Sequence, residues 1–306
     1  MKKSLFYILV FTVSFVLIDQ SVGRIILHGI NCFYGLNQHS DLLVVGHSHI
    51  MLSIDKNRLE SETGLKVSKY TREGVNLFDR QVMVEQYLGS SYGDSLKMVM
   101  YGVDQFSFVK SGLSENSYKL FYPFMENKVM DTYIEKSTKN KREYYTHKLF
   151  RLTRYSDPLL NAAIRGYRND FSNYKYGTLD IEQLKKNIAD GNKQFVREMT
   201  IDPELLSVFE KTIKTITDRG ICVILVNTPT LDLLKDEDRI SYEKIIEIFQ
   251  LYADNNDLVE YWDLNPEYES DYSIFHDPIH LNPRGQQLIT DEIINRLNYR
   301  FFSEVI

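Results

Sequence analysis

Five short strand-like segments, residues 42–45, 65–70, 96–101, 221–226 and 258–262, recur along the chain with helical material between them. The first, Leu42, Leu43, Val44 and Val45, is apolar throughout and bounded by Asp41 and Gly46. A strand without polar alternation has no face to give to water, so it belongs in a sheet covered on both sides. Helical stretches with one apolar side lie at 77–88, 204–219 and 242–255, and a last one follows Pro283 as far as Leu297. This alternation predicts an α/β fold, a three-layer α/β/α sandwich around a parallel sheet of about five strands. Ligands in such sheets bind beyond the strands' carboxyl ends. Those ends carry polar residues here: Ser48 after the first strand, Asp104 after the third, Asn227 and Thr228 after the fourth, and Asp263 after the fifth.

At 306 residues the chain exceeds one average domain, and a domain with an insertion is the expectation. The insertion is placed at about 105–204, a stretch that is charge-dense over 136–145, rich in Asn and Tyr over 169–177, and read as mainly helical. It either overhangs the catalytic edge and shapes a substrate groove or is a surface elaboration that aids packing. Apolar residues at 43% with 25% charged exclude a largely disordered chain. A net charge of −6 argues against a nucleic-acid partner. Cys32 and Cys222 are too few and too far apart for a disulfide framework or a zinc site. The 21 tyrosines and 17 phenylalanines predict an aromatic-rich core in preference to a sugar-binding surface.

Lys2 and Lys3 precede an uncharged run of 14 residues, 5–18, which Asp19 interrupts. That length suits a signal-peptide core and is short of the ~20 residues a membrane span needs. Apolar character resumes at Val22 and over 25–27, without a small-x-small cleavage site, and Asn31 before Cys32 does not make a lipobox. An uncleaved signal anchor over residues 1–29 is therefore expected, ahead of a cleaved signal peptide or a buried soluble helix. Residues 30–306 would form the catalytic domain. The two lysines would hold the N-terminus in the cytoplasm and place that domain outside, on the periplasmic or extracellular face.

Gly46 permits a sharp turn, so Ser48 would emerge at the sheet edge with backbone N–H groups around it. A serine hydroxyl needs a base to take its proton, and a histidine suits that task near neutral pH. His280 meets the need, in a loop just before a helix capped by Asn282 with Pro283 in its first turn. Asp277, three residues earlier, can hold the tautomer of His280 and stabilise its charged form. His47 and His49 flank the serine and are candidates to bind an acyl donor or line the groove, with polar contact or packing as the plainer expectation; a zinc site built from them with His280 would displace the triad assignment and is not expected.

In order along the chain, Gly46-His47-Ser48, Gly74, Gly102-Val103-Asp104 and Asp277 to His280 resemble the four sequence blocks of the SGNH hydrolase-like superfamily. The resemblance is to its membrane-anchored polysaccharide O-acyltransferases, the alginate-acetylation and teichoic-acid D-alanyl-transfer type proteins. It runs from about 41 to 297 with the insertion outside it. It implies a flavodoxin-like sheet, an exported Ser-His-Asp acyltransferase adding an acyl group, most often acetyl, to a sugar hydroxyl, and a membrane-bound O-acyltransferase partner that supplies the group. It implies no metal and no cofactor. The alternatives are an esterase removing acyl groups with water as acceptor, or a non-catalytic scaffold binding polysaccharide or a membrane partner. One block departs from the pattern: where the family carries an asparagine that donates to the oxyanion, Asp104 stands, and an ionised carboxylate only accepts. Either Asp104 turns away and orients another group, or the oxyanion donors are the backbone N–H groups of Ser48 and Gly74, with Asn76 as a further candidate.

Overall fold

The structure is a computed structural model that describes residues 2–111, 114–191, 198–236 and 238–303. Its contacts divide the chain into two units, one of residues 1–38 with 115–170 and one of residues 39–114 with 171–306.

The larger unit holds a five-stranded sheet. In chain order come β1 (Leu42–Gly46), the short helices α2 (Ser48–Ser53) and α3 (Lys56–Thr63), β2 (Val67–Thr71), α4 (Leu77–Leu88) and β3 (Met98–Val103). After the excursion to the other unit it resumes with α8 (Ile181–Ala189), α9 (Pro203–Thr217), β4 (Cys222–Asn227), α10 (Asp232–Asp236), α11 (Arg239–Asp254) and β5 (Val259–Asp263). It ends with α12 (Asn265–Tyr268), a small antiparallel hairpin of β6 (Phe275–Asp277) and β7 (His280–Leu281), and α13 (Pro283–Ser303). The five main strands lie in the order β2-β1-β3-β4-β5, all parallel. This is the expected flavodoxin-like order, and each of the five sequence segments supplies one strand.

The sheet is buried on both faces, as the unbroken apolar run of β1 requires. On one face Leu42, Val44, Met98, Met100, Ile224 and Val226 form a core with Leu59 of α3 and Ile289, Ile293 and Leu297 of α13. Alternation sends the intervening residues to the other face. There the Tyr101 ring meets Phe209 of α9 edge-on at 6.1 Å, and Phe249 of α11 lies 5.9 Å from Tyr261. Much of the aromatic content is thus spent in packing, as expected: Tyr70, Tyr87, Tyr101, Phe108, Phe209, Phe249 and Phe275 are fully buried.

The smaller unit consists of α1 (Lys2–Tyr34), α5 (Lys128–Ser137), α6 (Lys141–Leu149) and α7 (Asp157–Tyr167), with 3₁₀ turns at Ser117–Phe124 and Arg151–Arg154. Helix α1 runs unbroken through the interruption at Asp19 to Tyr34, five residues past the anchor boundary expected at residue 29. Among the described residues it is the one helix long and apolar enough to cross a membrane. Its second half packs on α7 at very short range. A Cβ on Gly29 would fall 2.5 Å from the Ala163 carbonyl oxygen, and one on Gly166 would fall 1.9 Å from that of Gly29. Only glycine lets the two backbones approach this closely.

Candidate active site

Parallel pairing builds the site. β1 and β3 are neighbours, with Val45 opposite Tyr101, so the turn after β1 and the residues after β3 emerge side by side at the point where strand order reverses. Two glycines at those strand ends, Gly46 and Gly102, leave a hollow for Ile50. A Cβ on either would come within 2.5 or 2.8 Å of the Ile50 methyl. Ile50 therefore seats α2 directly on the sheet edge, with Ser48 as its first residue. Two further groups fix that helix. The buried Lys69 ammonium donates to the carbonyls of Met51 (2.8 Å) and Ile54 (2.5 Å) at its C-terminal end, where a positive charge is favoured. Gln286 of α13 donates to the Leu52 carbonyl at 2.8 Å.

The hairpin of β6 and β7 carries the other two groups. Phe275 pairs with Leu281 and Asp277 with His280, with an irregularity between Phe275 and Asp277, so Asp277 and His280 stand opposite each other across the hairpin. Asn282 closes the hairpin and caps α13 as expected, its Oδ1 accepting from the N–H groups of Arg284 (3.0 Å) and Gly285 (3.1 Å). His280 Nε2 lies 2.8 Å from Ser48 Oγ, and its Nδ1 lies 2.8 and 3.0 Å from the two oxygens of Asp277. Asp277 Oδ1 also accepts the backbone N–H groups of Ile279 (3.1 Å) and His280 (3.0 Å). Burial raises the Asp277 carboxyl, but the His280 imidazole and those N–H groups outweigh it and hold the group below its ordinary value. For His280 burial dominates and lowers the imidazole despite the carboxylate beside it. The ring is thus neutral near pH 7, with Nδ1–H toward Asp277 and Nε2 open to accept the serine proton.

Asp104 faces away from that role. It is buried, and one of its oxygens lies 2.6 Å from His47 Nε2. His49 Nδ1 approaches the same oxygen at 2.9 Å, off the line of a directed hydrogen bond. The second oxygen accepts from the Phe106 N–H at 2.8 Å. Burial alone would raise Asp104, yet the two imidazoles hold it well below the ordinary carboxylate range. His47 in turn is pushed down to about 3, by burial first and then by His49 and the buried Arg80. It is neutral, and its hydrogen is located by its partners. His47 Nδ1 accepts from the His49 N–H at 3.1 Å, so the proton sits on Nε2 and is donated to Asp104. The side chain is the N-cap of α2. Asp104 thereby fixes a tautomer, and the tautomer fixes the turn that presents Ser48.

The same observation bears on metal binding. The ligand atoms of His47, His49 and Asp104 lie within 4.8 Å of one another. A His47 that accepts a hydrogen bond at Nδ1 keeps its hydrogen at Nε2, the nitrogen a metal would need. As arranged, the three side chains do not fit a metal.

Gly74 lies three residues beyond β2, the strand beside β1, with φ 78°, a conformation that glycine adopts without strain. Asn76 caps α4: its Oδ1 accepts the Asp79 N–H at 3.1 Å, and Asp79 returns the bond to the Asn76 N–H at 2.8 Å. The capping pattern Asn76-x-x-Asp79 is visible in the sequence and accounts for the Oδ1 of this residue.

Two residues near the site, Arg80 and Lys175, went unread in the sequence, and His276, expected to be a loop residue, makes a polar contact. Arg80 donates to the Gly102 carbonyl at 2.8 Å and places its charge near His47. Lys175 pairs with Glu73 at 2.9 Å, next to Gly74, and its charge bears on both Asp277 and His280. His276 Nδ1 meets the Tyr176 carbonyl at 2.7 Å. A helix interior and an irregular Asn- and Tyr-rich segment give no periodic signal for such contacts.

No family model matches this chain, and no curated protein matches it. Among solved structures it is similar to a protein from Streptococcus pneumonia provisionally described as a platelet activating factor. The two share 10% identity over 95% of this chain and 98% of the other, with a TM-score of 0.42. That likeness is too distant to assign any residue of the site, whose description rests on its own geometry.

Proposed function

We propose that this chain is an exported serine-dependent acyl-transfer enzyme that moves an acyl group, most often acetyl, onto a sugar hydroxyl of a cell-surface or secreted polysaccharide. The observation that carries the reading is the line Ser48 Oγ, His280 Nε2, His280 Nδ1, Asp277, with 2.8 Å at each end. Ser48 Oγ attacks the acyl carbonyl carbon while His280 Nε2 takes its proton. The carbonyl π electrons move to oxygen, and the oxyanion is met by the N–H groups of Gly74 and Ser48. Collapse expels the donor's leaving oxygen, which takes the proton from His280 and leaves an acyl-serine. The acceptor hydroxyl then gives its proton to His280 and attacks the acyl carbon, and collapse breaks the bond to Ser48 Oγ, which takes that proton back from His280. Asp277 holds the ring and balances its transient positive charge. With a sugar as acceptor the outcome is transfer; with water, hydrolysis. An enzyme outside the cytoplasm has no acyl-coenzyme A to draw on, so a membrane-bound O-acyltransferase partner passes the acyl group across the bilayer.

The test uses the full chain in detergent micelles with a serine-reactive fluorophosphonate. An adduct mapped to Ser48, absent in Ser48→Ala and at least 10³-fold slower in His280→Ala, is the expected result. A folded protein that stays unlabelled would overturn the reading in favour of a non-catalytic scaffold. Acyl-serine formed from a chromogenic acetyl ester, and discharged faster by oligosaccharide than by water, separates transfer from hydrolysis.

A further inference from the structure

We infer that the end of α6 and the turn behind it, at Leu149, Phe150 and Leu152, form a second membrane contact, immersed in the lipid of the same bilayer that α1 crosses. The inference rests on α1 spanning that bilayer and is independent of the chemistry at Ser48.

The N-terminal half of α1 presents apolar side chains outward, among them Phe11 at 72% and Leu17 at 62% exposure. At the end of this run stands Asp19, whose side chain is buried. Its two oxygens accept the backbone N–H groups of Arg151 (2.9 Å) and Leu152 (3.0 Å), bolting the 151–154 turn to α1 at that level. Arg151 Nε adds a bond to Gln20 Oε1 at 2.6 Å. One helical turn back toward the N-terminus, the Phe15 ring meets Phe150 edge-on at 5.9 Å. Phe15 belongs to the uncharged run 5–18, so a bilayer that takes in this run also reaches Phe150.

Four features make the occupant lipid. Leu149 and Phe150 are 69% and 39% exposed, Leu152 is exposed beside them, and the Phe15–Phe150 contact joins this group to the outward apolar surface of α1. The backbone there is prepared for a medium that cannot hydrogen-bond: the N–H groups of the first turn of the 151–154 segment, ordinarily left to water, are taken up by Asp19. The same bonds satisfy Asp19, which would otherwise be a costly bare charge at the edge of a span. Of the nearby cations, Arg151 and Arg154 are buried and paired with Glu126, and Lys148, which is exposed, is paired with Asp131.

The test is depth measurement on the full chain, reconstituted into phosphatidylcholine–phosphatidylglycerol nanodiscs, in a background carrying Cys32→Ser and Cys222→Ser. An environment-sensitive fluorophore is attached at Phe150→Cys, at Phe11→Cys as the reference for the span, and at Lys139→Cys as the aqueous reference. Circular dichroism melts establish that each variant is folded. The expected result is that the Phe150 probe shifts to the blue and is quenched by doxyl-labelled lipids to within about twofold of the Phe11 probe, while the Lys139 probe responds only to aqueous iodide. A Phe150 probe quenched by iodide as strongly as the Lys139 probe overturns the inference, as does one shielded from both quenchers, which would mark a protein contact. If the Phe11 probe itself fails to report lipid, the span is wrong and the second contact falls with it, whatever the fluorophosphonate result at Ser48.

Discussion

Asp277 with His280 and Asp104 with His47 are both aspartate–histidine pairs beside Ser48, but their rings are turned opposite ways. In the first pair the carboxylate faces Nδ1 and leaves Nε2 to the serine hydroxyl. In the second it faces Nε2, and Nδ1 is used by the backbone N–H of His49. The first pair also keeps some contact with solvent, whereas the Asp104 side chain is almost wholly enclosed. One histidine keeps a nitrogen available for proton transfer; the other has both nitrogens committed and serves as a fixed piece of a helix cap. The same two residue types thus make a base or a brace, according to which nitrogen the carboxylate selects.

That contrast is broken most sharply at Asp277. Changing Asp277→Asn keeps the shape and lets the amide donate to Nδ1, which moves the ring proton to Nε2 and blocks it as a base. A fall of about 10⁴ in the rate of fluorophosphonate labelling is expected, with little change in melting temperature. Labelling within tenfold of the parent would show that Asp277 does not set the tautomer.

The matching change at Asp104 should be felt in both quantities. In Asp104→Asn the same proton shift would set His47 Nδ1–H against the His49 N–H and undo the cap of α2. The turn carrying Ser48 then loosens, and a misplacement of about 1 Å lowers labelling by roughly 10²-fold. Losing the cap and leaving buried polar groups unmatched costs about 1–3 kcal/mol of stability, read as a lower melting temperature. A variant that keeps its melting temperature but loses labelling would argue that Asp104 acts on the reaction itself.

The smallest effect concerns acid stability. His47 in the folded chain titrates at about 3, against about 6.5 when unfolded. The unfolded chain therefore takes up this proton first as pH falls, and stability present above pH 6.5 drains away toward pH 3. Between pH 7 and pH 5 the loss is on the order of 1–2 kcal/mol. His47→Gln should flatten that slope in thermal melts; an unchanged slope would remove His47 as its source.

The sheet was legible in the sequence because buried parallel strands have a local signature. Residues 42–45 and 221–226 are apolar runs with abrupt polar ends, and the three other strands, although 65–70 and 258–262 carry charged residues, also formed within two residues of the segments marked for them. Ser48, Asp277 and His280 were legible for a related reason: each follows a strand or precedes a helix at a turn that elementary rules locate. The hairpin that joins Asp277 to His280 was not, since strands of three and two residues leave no periodicity to detect. The partner of Asp104 was hidden too, because 57 residues separate it from His47 and only the pairing of β1 with β3 brings them together. Within α1 the hydropathy pattern revealed the apolar run but not the end of the helix. What carries it on to Tyr34 is the fit of Gly29 against α7, a contact with no local trace.

That glycine contact has a consequence in time. Gly29 leaves the ribosome well before Gly166, and at ~5–20 residues per second the gap is on the order of ten seconds. Through that interval α1 has an apolar surface and a notch at Gly29 but no α7 to fill it. A helix with this surface cannot safely wait in water. If α1 enters a membrane during synthesis, the run 5–18 is sheltered there while the Gly29 notch, ten residues beyond Asp19, waits for α7, so delivery of the nascent chain and folding of the smaller unit would become one ordered process.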